Sequence, residues 1–220
     1  MERVVEAYTG EYASGKSENA INRALELKEQ GHEVTLVDLD TVEPFYTLRP
    51  LKAWLEEQGI TVIGWGPEDS FGLGETGGRI KPAARWVLRR KGAIILDIGY
   101  GVHGARTLNL VEEGDKDPDL QILAVVNTAR PMTAKRDDIV EYIRSLGRVD
   151  GLVSNTHLGD ETIVDVICSG NRELQQAAVV LGIPIVYVAV DERLREEVGA
   201  ADFGGVPVKF IKRYMPAAMW

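Results

Sequence analysis

The stretch Gly10-Glu11-Tyr12-Ala13-Ser14-Gly15-Lys16-Ser17 decides how this chain is interpreted, because it fits the pattern G-x-x-x-x-G-K-[ST] at every fixed position. It follows the apolar run Val4–Thr9, whose composition predicts a strand. It opens Ser17–Gln30, where apolar residues fall mainly on one helical stripe before Gly31. A glycine-rich turn between a strand and a helix is the setting in which this pattern binds phosphate.

Each residue type in this loop suits the binding of a nucleoside triphosphate. Glycines let the backbone curl so that successive N–H groups point at phosphate oxygens, and the helix adds its positive dipole end. Lys16 is expected to neutralise the β- and γ-phosphates and so to act in catalysis, while the Ser17 hydroxyl is expected to bind Mg²⁺. The expected nucleotide-binding residues are Gly10, Glu11, Tyr12, Ala13, Ser14, Gly15, Lys16, Ser17 and Glu18.

Carboxylates that follow two other predicted strands complete the expected magnesium site. Asp97 ends the apolar run Ala93-Ile94-Ile95-Leu96 and is expected to hold the metal through its water shell. Asp38 and Asp40 end the second strand. We expect Asp40, which lies further out, to orient the attacking water or the magnesium shell, with Asp38 as the alternative.

Strand and helix patterns alternate along the whole chain. Most strand candidates are continuous runs of Val, Ile, Leu and Ala, as in parallel strands buried on both faces. The sequence therefore predicts a three-layer α/β fold, a mainly parallel sheet flanked by helices, in a single domain over residues 1–220. The predicted strands are Val4–Thr9, Val34–Leu39, Ile60–Gly64, Gly92–Ile98, Ile122–Asn127, Gly151–Asn155 and Ile185–Val190; the predicted helices are Ser17–Gln30, Leu51–Gln58, Pro82–Arg90, Thr133–Leu146 and Thr162–Leu181.

Composition excludes several classes of function. The formal net charge of −9 disfavours a nucleic-acid footprint over the whole surface, and no nucleic-acid partner is expected. Cys168 is the only cysteine, so neither an intrachain disulfide nor a cysteine-rich zinc site is expected. No apolar run approaches the roughly 20 residues needed to cross a bilayer, and the first residues do not resemble a secretory signal. We expect a cytoplasmic protein.

These motifs resemble the P-loop class that contains the partition and septum-placing ATPases, the nitrogenase iron protein, dethiobiotin synthetase and the metal-insertion NTPases. The resemblance rests on Gly10–Ser17, on Val34–Asp40 and on Ile94–Gly99, and it implies a parallel sheet and, in many members, a nucleotide-bridged homodimer. In many members the aspartate that aligns with Asp40 positions water.

Within this class, the sequence resembles a group of bacterial ATP-binding proteins. The similarity lies in Val37–Tyr46 and Asn155–Thr162, and it implies ATP binding without a particular substrate. One position departs from the dimeric members, which carry a second lysine after the first glycine of the loop. Here that residue is Glu11, so a homodimer that relies on this lysine is not expected.

Other polar residues near predicted strand ends are candidates for contacts with the base or the substrate. The guanine-specific sequence Asn-Lys-x-Asp is missing, which favours ATP, and Asn155 is expected to bind the adenine edge, with Asn127 as the alternative. Arg130 is a candidate for a substrate anion, and Thr133 is expected to cap the N-terminus of its helix. Further candidates are Arg49, which lies where this class changes shape with nucleotide, His103 as a proton carrier, and the glycine-rich Gly72–Gly78 as a mobile loop.

Three classes of function remain open. The first is a regulatory or chaperone-like ATPase that signals its nucleotide state to a protein partner. The second is a kinase or ligase for a small molecule, resembling dethiobiotin synthetase, and the third is a GTPase for metal insertion. The tail Val208–Trp220 is expected to pack on the body or on another subunit rather than on a membrane.

Overall fold

Strands and helices alternate in the computed structural model, which describes residues 3–41, 48–65, 80–114 and 116–215. The strands are β1 (Val4–Gly10), β2 (Val34–Leu39), β3 (Thr61–Ile63), β4 (Ala93–Ile98), β5 (Leu120–Val126), β6 (Gly151–Ser154), β7 (Ile185–Asp191) and β8 (Val208–Ile211). The α-helices are α1 (Lys16–Glu29), α2 (Lys52–Glu57), α3 (Gly101–Arg106), α4 (Arg136–Leu146) and α5 (Val164–Leu181).

The eight strands form one sheet in the order β3-β2-β4-β1-β5-β6-β7-β8. The pairs β1–β4, β2–β3, β2–β4, β5–β6, β6–β7 and β7–β8 run parallel. Every residue of β2 and β4 is buried, which explains why their sequences are apolar without alternation. The predicted three-layer α/β architecture, that of a P-loop NTPase fold, is confirmed.

The chain divides into two compact units. The first comprises Met1–Thr9 and Ala20–Gln121, and the second comprises Gly10–Asn19 and Ile122–Trp220. In the first unit the register sets Asp97 opposite both Tyr8 and Asp38. The assignment of residues 1–220 to a single domain stays a prediction.

Two predicted elements differ from the structure. Pro82–Arg89 is a 3-10 helix rather than an α-helix, and its buried residues are Ala84, Val87 and Leu88. The helix predicted from Thr133 begins at Arg136, so the prediction that Thr133 caps it is wrong. The Thr133 hydroxyl instead donates to the Asn127 carbonyl at 2.7 Å, because a 3-10 turn, Pro131–Thr133, comes first.

The tail prediction is confirmed for β8, which pairs with β7. No helix in the described part of the chain combines the length and the apolar character needed to span a membrane. The glycine-rich Gly72–Gly78 and part of the similar segment Val37–Tyr46 lie outside the described residues.

Candidate functional site

The loop between β1 and α1 follows a backbone path that few residue types can adopt. Gly10 and Gly15 have φ of +148° and +90°, and Ala13 has φ of +54°. A Cβ on Gly10 would overlap with the Val125 carbonyl oxygen, and one on Gly15 would overlap with the amide nitrogen of Asn155. A left-handed alanine costs about 1 kcal/mol or more, and such strain concentrates at functional sites.

Lys16 is buried within this loop. The residue is only 7% exposed, and its side-chain ammonium donates to the Glu11 carbonyl at 2.9 Å. The Ser14 hydroxyl is also buried and has no hydrogen-bond partner among the described residues. A buried cation and an unsatisfied hydroxyl in the same loop fit an anion whose oxygens would bind both groups.

Side chains from the ends of β5 and β6 brace the loop. The Asn155 amide donates to the Ser14 carbonyl at 2.6 Å, and the Arg130 guanidinium donates to the Ala13 carbonyl at 3.3 Å. Asn127 links the two strand ends, since it donates to the His157 carbonyl and accepts from the His157 N–H, both at 3.2 Å. The residues predicted to bind the base or an anion therefore also support the strained loop backbone.

A pocket opens beside the loop within the second unit. Its polar lining includes Glu18, Asp191 and Arg213, and its apolar lining comes from Ile167, Ala189, Ile211 and Met215. His157 also lines it, and burial, assisted by the charges of Arg130 and Arg213, lowers the pKa of this imidazole to about 4. The imidazole is therefore neutral at physiological pH.

Sequence reasoning missed several residues of this pocket. Asp191 ends β7, and both of its carboxylate oxygens accept hydrogen bonds from Arg193, at 3.1 and 3.2 Å. Arg213 and Met215 follow β8, a strand that the sequence analysis treated as tail. Asp191 could have been found from the sequence, because it is an aspartate at the end of a predicted strand. Nothing in the sequence pattern around Arg213 and Met215 pointed to a site.

The predicted carboxylates of the first unit have different surroundings. Asp38 forms a buried ion pair with Arg49 at 2.7 Å, and it also accepts from the Asp40 N–H at 2.9 Å. Burial raises the pKa of Asp38, against the lowering effect of Arg49. Asp97, only 1% exposed, is the last residue but one of β4, near its carboxyl end as predicted. A Cβ on Gly99 would lie 2.8 Å from a carboxylate oxygen of Asp40.

The remaining candidates occupy ordinary positions. His103 is exposed on α3, and Cys168 is half-buried on α5 against a hydrophobic cluster, where burial raises the pKa of its thiol. Tyr12 is exposed, whereas Glu11 and Ser17 are half-buried. The roles predicted for all these residues stay predictions.

No family model and no curated protein sequence matches the chain. Solved structures match its fold. The cell division protein FtsY from Thermotoga maritima has a TM-score of 0.59 and 19% identity, over 99% of this chain and 67% of that one. The signal recognition particle receptor FtsY from Elizabethkingia anophelis, in complex with GDP, has a TM-score of 0.57 and 18% identity over 87% of this chain and 58% of its own.

A third match is the 54 kDa signal recognition particle protein from Aeropyrum pernix, also in complex with GDP. It has a TM-score of 0.57 and 22% identity, over 86% of this chain and 41% of that one. The chain thus spans between 41% and 67% of the length of these three proteins. At such identities the likeness establishes the P-loop NTPase fold, and it does not confirm the narrower class that the sequence resembles.

Proposed function

We propose that this chain is a magnesium-dependent nucleoside triphosphatase that binds ATP at Gly10–Ser17 and hydrolyses it to ADP and phosphate. The observation that carries the proposal is the loop itself, which is strained at Ala13, braced by Asn155 and Arg130, and folded around a buried lysine. Without a bound anion, the burial of the Lys16 ammonium and the backbone strain at Ala13 would both cost free energy with little compensation.

In this proposal, the loop N–H groups and Lys16 stabilise the charge that develops on the γ-phosphoryl group. Asp40 orients a water whose oxygen attacks the γ-phosphorus, and the bond from that phosphorus to the β–γ bridging oxygen breaks. Asp40 is preferred to Asp38 because the Asp38 carboxylate is already paired with Arg49. Catalysis is then mainly positioning and charge stabilisation.

A magnesium ion shared with the nucleotide is part of this proposal. Among the described residues, no group of three or more His, Cys, Asp or Glu side chains could hold a metal by itself. Mg²⁺ usually keeps several waters and binds one or two protein oxygens together with substrate phosphates. The Ser17 hydroxyl, with Asp97 and Asp40 acting through waters, would supply those oxygens, and the ion would neutralise phosphate charge.

GTP is the second candidate nucleotide, because the carboxylate at the end of β7, Asp191, lines the pocket. Asp191 could accept two hydrogen bonds from a guanine edge, and two of the structural neighbours were solved with GDP. Against GTP, Arg193 already donates to both oxygens of Asp191, and the sequence lacks Asn-Lys-x-Asp. The Asn155 amide would serve either purine, and ATP remains the proposed substrate.

We place the chain among conformational ATPases that signal their nucleotide state to a protein partner. Arg49 supports this role, since it joins Asp38 to the Asp40 carbonyl at 2.9 Å and so links two expected active-site positions. A change at Asp40 on hydrolysis would therefore reach Arg49. The expected behaviour is slow basal turnover that a partner accelerates.

Calorimetric titration of Mg-ATP and Mg-GTP into the purified chain tests the nucleotide site. We expect micromolar ATP binding, corresponding to about −8 kcal/mol, with weaker GTP binding. Lys16→Ala should abolish the binding of both, whereas Lys28→Ala, at the other end of α1, should leave it unchanged. If the wild-type chain binds neither nucleotide at millimolar concentration, the proposed function is wrong for the isolated chain.

A further inference from the structure

The segment that follows β8 returns to the start of α1. The backbone N–H groups of Tyr214 and Met215 both donate to the Glu18 carboxylate, at 2.9 and 2.7 Å. Glu18 follows Ser17 directly and lies in the first turn of α1. Two hydrogen bonds that span 196 and 197 positions therefore end at the residue that directly follows the phosphate-binding loop.

The Glu18 carboxylate stands where negative charge is unfavourable for a phosphate-binding helix. A carboxylate in the first turn competes with an anionic ligand for the positive end of the helix dipole. Burial raises the pKa of Glu18, while the two backbone N–H groups oppose that shift. The two hydrogen bonds direct the charge of Glu18 toward residues 214 and 215, so the carboxylate has a defined partner other than the ligand.

The same segment is fixed at a second point. The Arg213 guanidinium donates to Asp160 at 2.5 Å and lies 3.9 Å from Asp191, the carboxylate at the end of β7. Arg213 and Met215 both line the pocket beside Gly15, together with the apolar side chains of Ile167, Ala189 and Ile211. A mostly apolar pocket with a few polar groups suits a flat heterocycle.

We propose that Arg213–Met215 is the base-side wall of the nucleotide pocket, and that Glu18 is the positioning residue that holds this wall in place. The ligand group it receives is the nucleobase of a nucleoside triphosphate, which packs against Met215 and the apolar lining. This inference rests on the proposed function. It assigns discrimination between nucleotides to the segment after β8, in addition to the strand ends.

The test compares a ligand that has a base with one that has none. Glu18→Ala is titrated with Mg-ATP, Mg-GTP and magnesium tripolyphosphate, since tripolyphosphate occupies only the loop. We expect Glu18→Ala to weaken binding of the preferred nucleotide about tenfold, because the base must then order a segment that Glu18 no longer holds. Tripolyphosphate should bind as before or more tightly, because a negative charge has been removed.

Three variants serve as controls. Glu29→Ala makes the same change at the exposed end of α1 and should alter neither affinity. Glu18→Gln keeps one acceptor oxygen and should give an intermediate loss. Arg213→Ala removes the second fixed point without touching α1, so it keeps the proposal testable if Glu18→Ala fails to fold, and it should also weaken only the nucleotide.

Amide hydrogen exchange supplies an independent readout. In the wild-type chain, nucleotide binding should slow exchange at Tyr214 and Met215, and tripolyphosphate should not. Equal weakening of both ligands in Glu18→Ala, or no weakening of either, would overturn the proposal. If the wild-type protein binds tripolyphosphate but no nucleotide, the segment does not bind a base and this inference is wrong, although Gly10–Ser17 still binds phosphate. If it binds neither, the proposed function fails as well.

Discussion

A comparison of Gly15 with Gly31 measures how strongly Asn155 restricts the residue type at position 15 of the phosphate-binding loop. Their φ angles are nearly equal, +90° and +88°, but a Cβ on Gly31 meets nothing within 4 Å, whereas a Cβ on Gly15 would overlap with the Asn155 amide. Gly31→Ala should therefore cost only the left-handed strain, about 1 kcal/mol. Gly15→Ala should cost more and weaken nucleotide binding at least about tenfold.

Urea unfolding of both variants gives the two stability costs, and nucleotide titration gives the affinities. Asn155→Ala is the companion variant, because it removes both the obstructing amide and the bond to Ser14. If Gly15→Ala and Gly31→Ala behave alike in both measurements, Asn155 does not constrain the loop.

Substitution of Asp38 should lower mainly the free energy of unfolding, whereas substitution of Asp40 should lower mainly the rate of hydrolysis. Asp38→Asn leaves the buried Arg49 without its ionised partner, which should cost about 3 kcal/mol of unfolding free energy. Asp40→Asn keeps the backbone carbonyl that Arg49 binds and should instead lower the rate of phosphate release about a hundredfold. Denaturant unfolding and single-turnover hydrolysis distinguish the two, and the reverse pattern would make Asp38 the group that orients water.

The residues that the sequence could predict are those whose roles depend on near neighbours in the chain. The glycines, Lys16 and Ser17 lie in one loop whose pattern is local. The bond from Asn155 to Ser14 joins positions 141 residues apart, and no local pattern encodes it. The contact of Glu18 with the segment after β8 was unpredictable for the same reason.

At the scale of elements, burial decided what could be predicted. The bounds of β2 match the prediction because Val34–Leu39 is a continuous buried run of strand-forming residues. Strand β8 was missed because it is four residues long, contains Lys209 and follows Pro207. Helix α3 was missed because Gly101 and Gly104 are poor helix formers. Glycine is nevertheless needed at position 104, because a Cβ there would overlap with the Gly99 carbonyl.

The position of β8 depends on the hydrophobic cluster against which it packs, and a substitution in that cluster can test this. Phe203 is 5% exposed and packs in one cluster with Ile167 and Leu194, and partly buried residues of β8 pack on that cluster. Phe203→Ala should cost about 3 to 5 kcal/mol, the usual cost of truncating a buried aromatic side chain. Val179→Ala, at an 84% exposed position on α5, should change stability by less than about 0.5 kcal/mol.

Chemical denaturation measures both costs. Hydrogen exchange then tests the structural link, because Phe203→Ala should accelerate exchange in β8 and Val179→Ala should not. Unchanged exchange in β8, despite a large loss of stability, would mean that β7 alone holds this strand.

At the scale of the whole molecule, packing assigns the phosphate-binding loop to the unit formed mainly by the C-terminal half of the chain. Residues Gly10–Asn19 belong with Ile122–Trp220, while the strand that leads into the loop belongs with the first unit. The bonds from Arg130 and Asn155 to the loop lie within this unit. From the sequence, the loop would have been grouped with the strand that precedes it, because chain neighbours are the only contacts a sequence displays.

The stability of the whole fold should depend on pH through His157. Its pKa falls from 6.5 to about 4, first because it is buried, then because Arg130 and Arg213 are cationic, with Asp191 acting in the opposite direction. Above pH 6.5 the imidazole is neutral in both the folded and the unfolded chain and contributes nothing to pH dependence. Below pH 6.5 the unfolded chain takes up the proton first, so stability falls until the pH reaches the folded pKa.

Between pH 7 and pH 5 this proton uptake should remove about 2 kcal/mol of unfolding free energy. His157→Gln cannot titrate, so its stability should fall by about that much less than the wild type over the same interval. His103→Gln, at an exposed position on α3, should follow the wild-type curve. The difference between the wild-type and His157→Gln curves measures the contribution of His157. Parallel curves for wild type and His157→Gln would show that water reaches this imidazole and that the pocket beside the phosphate-binding loop is open.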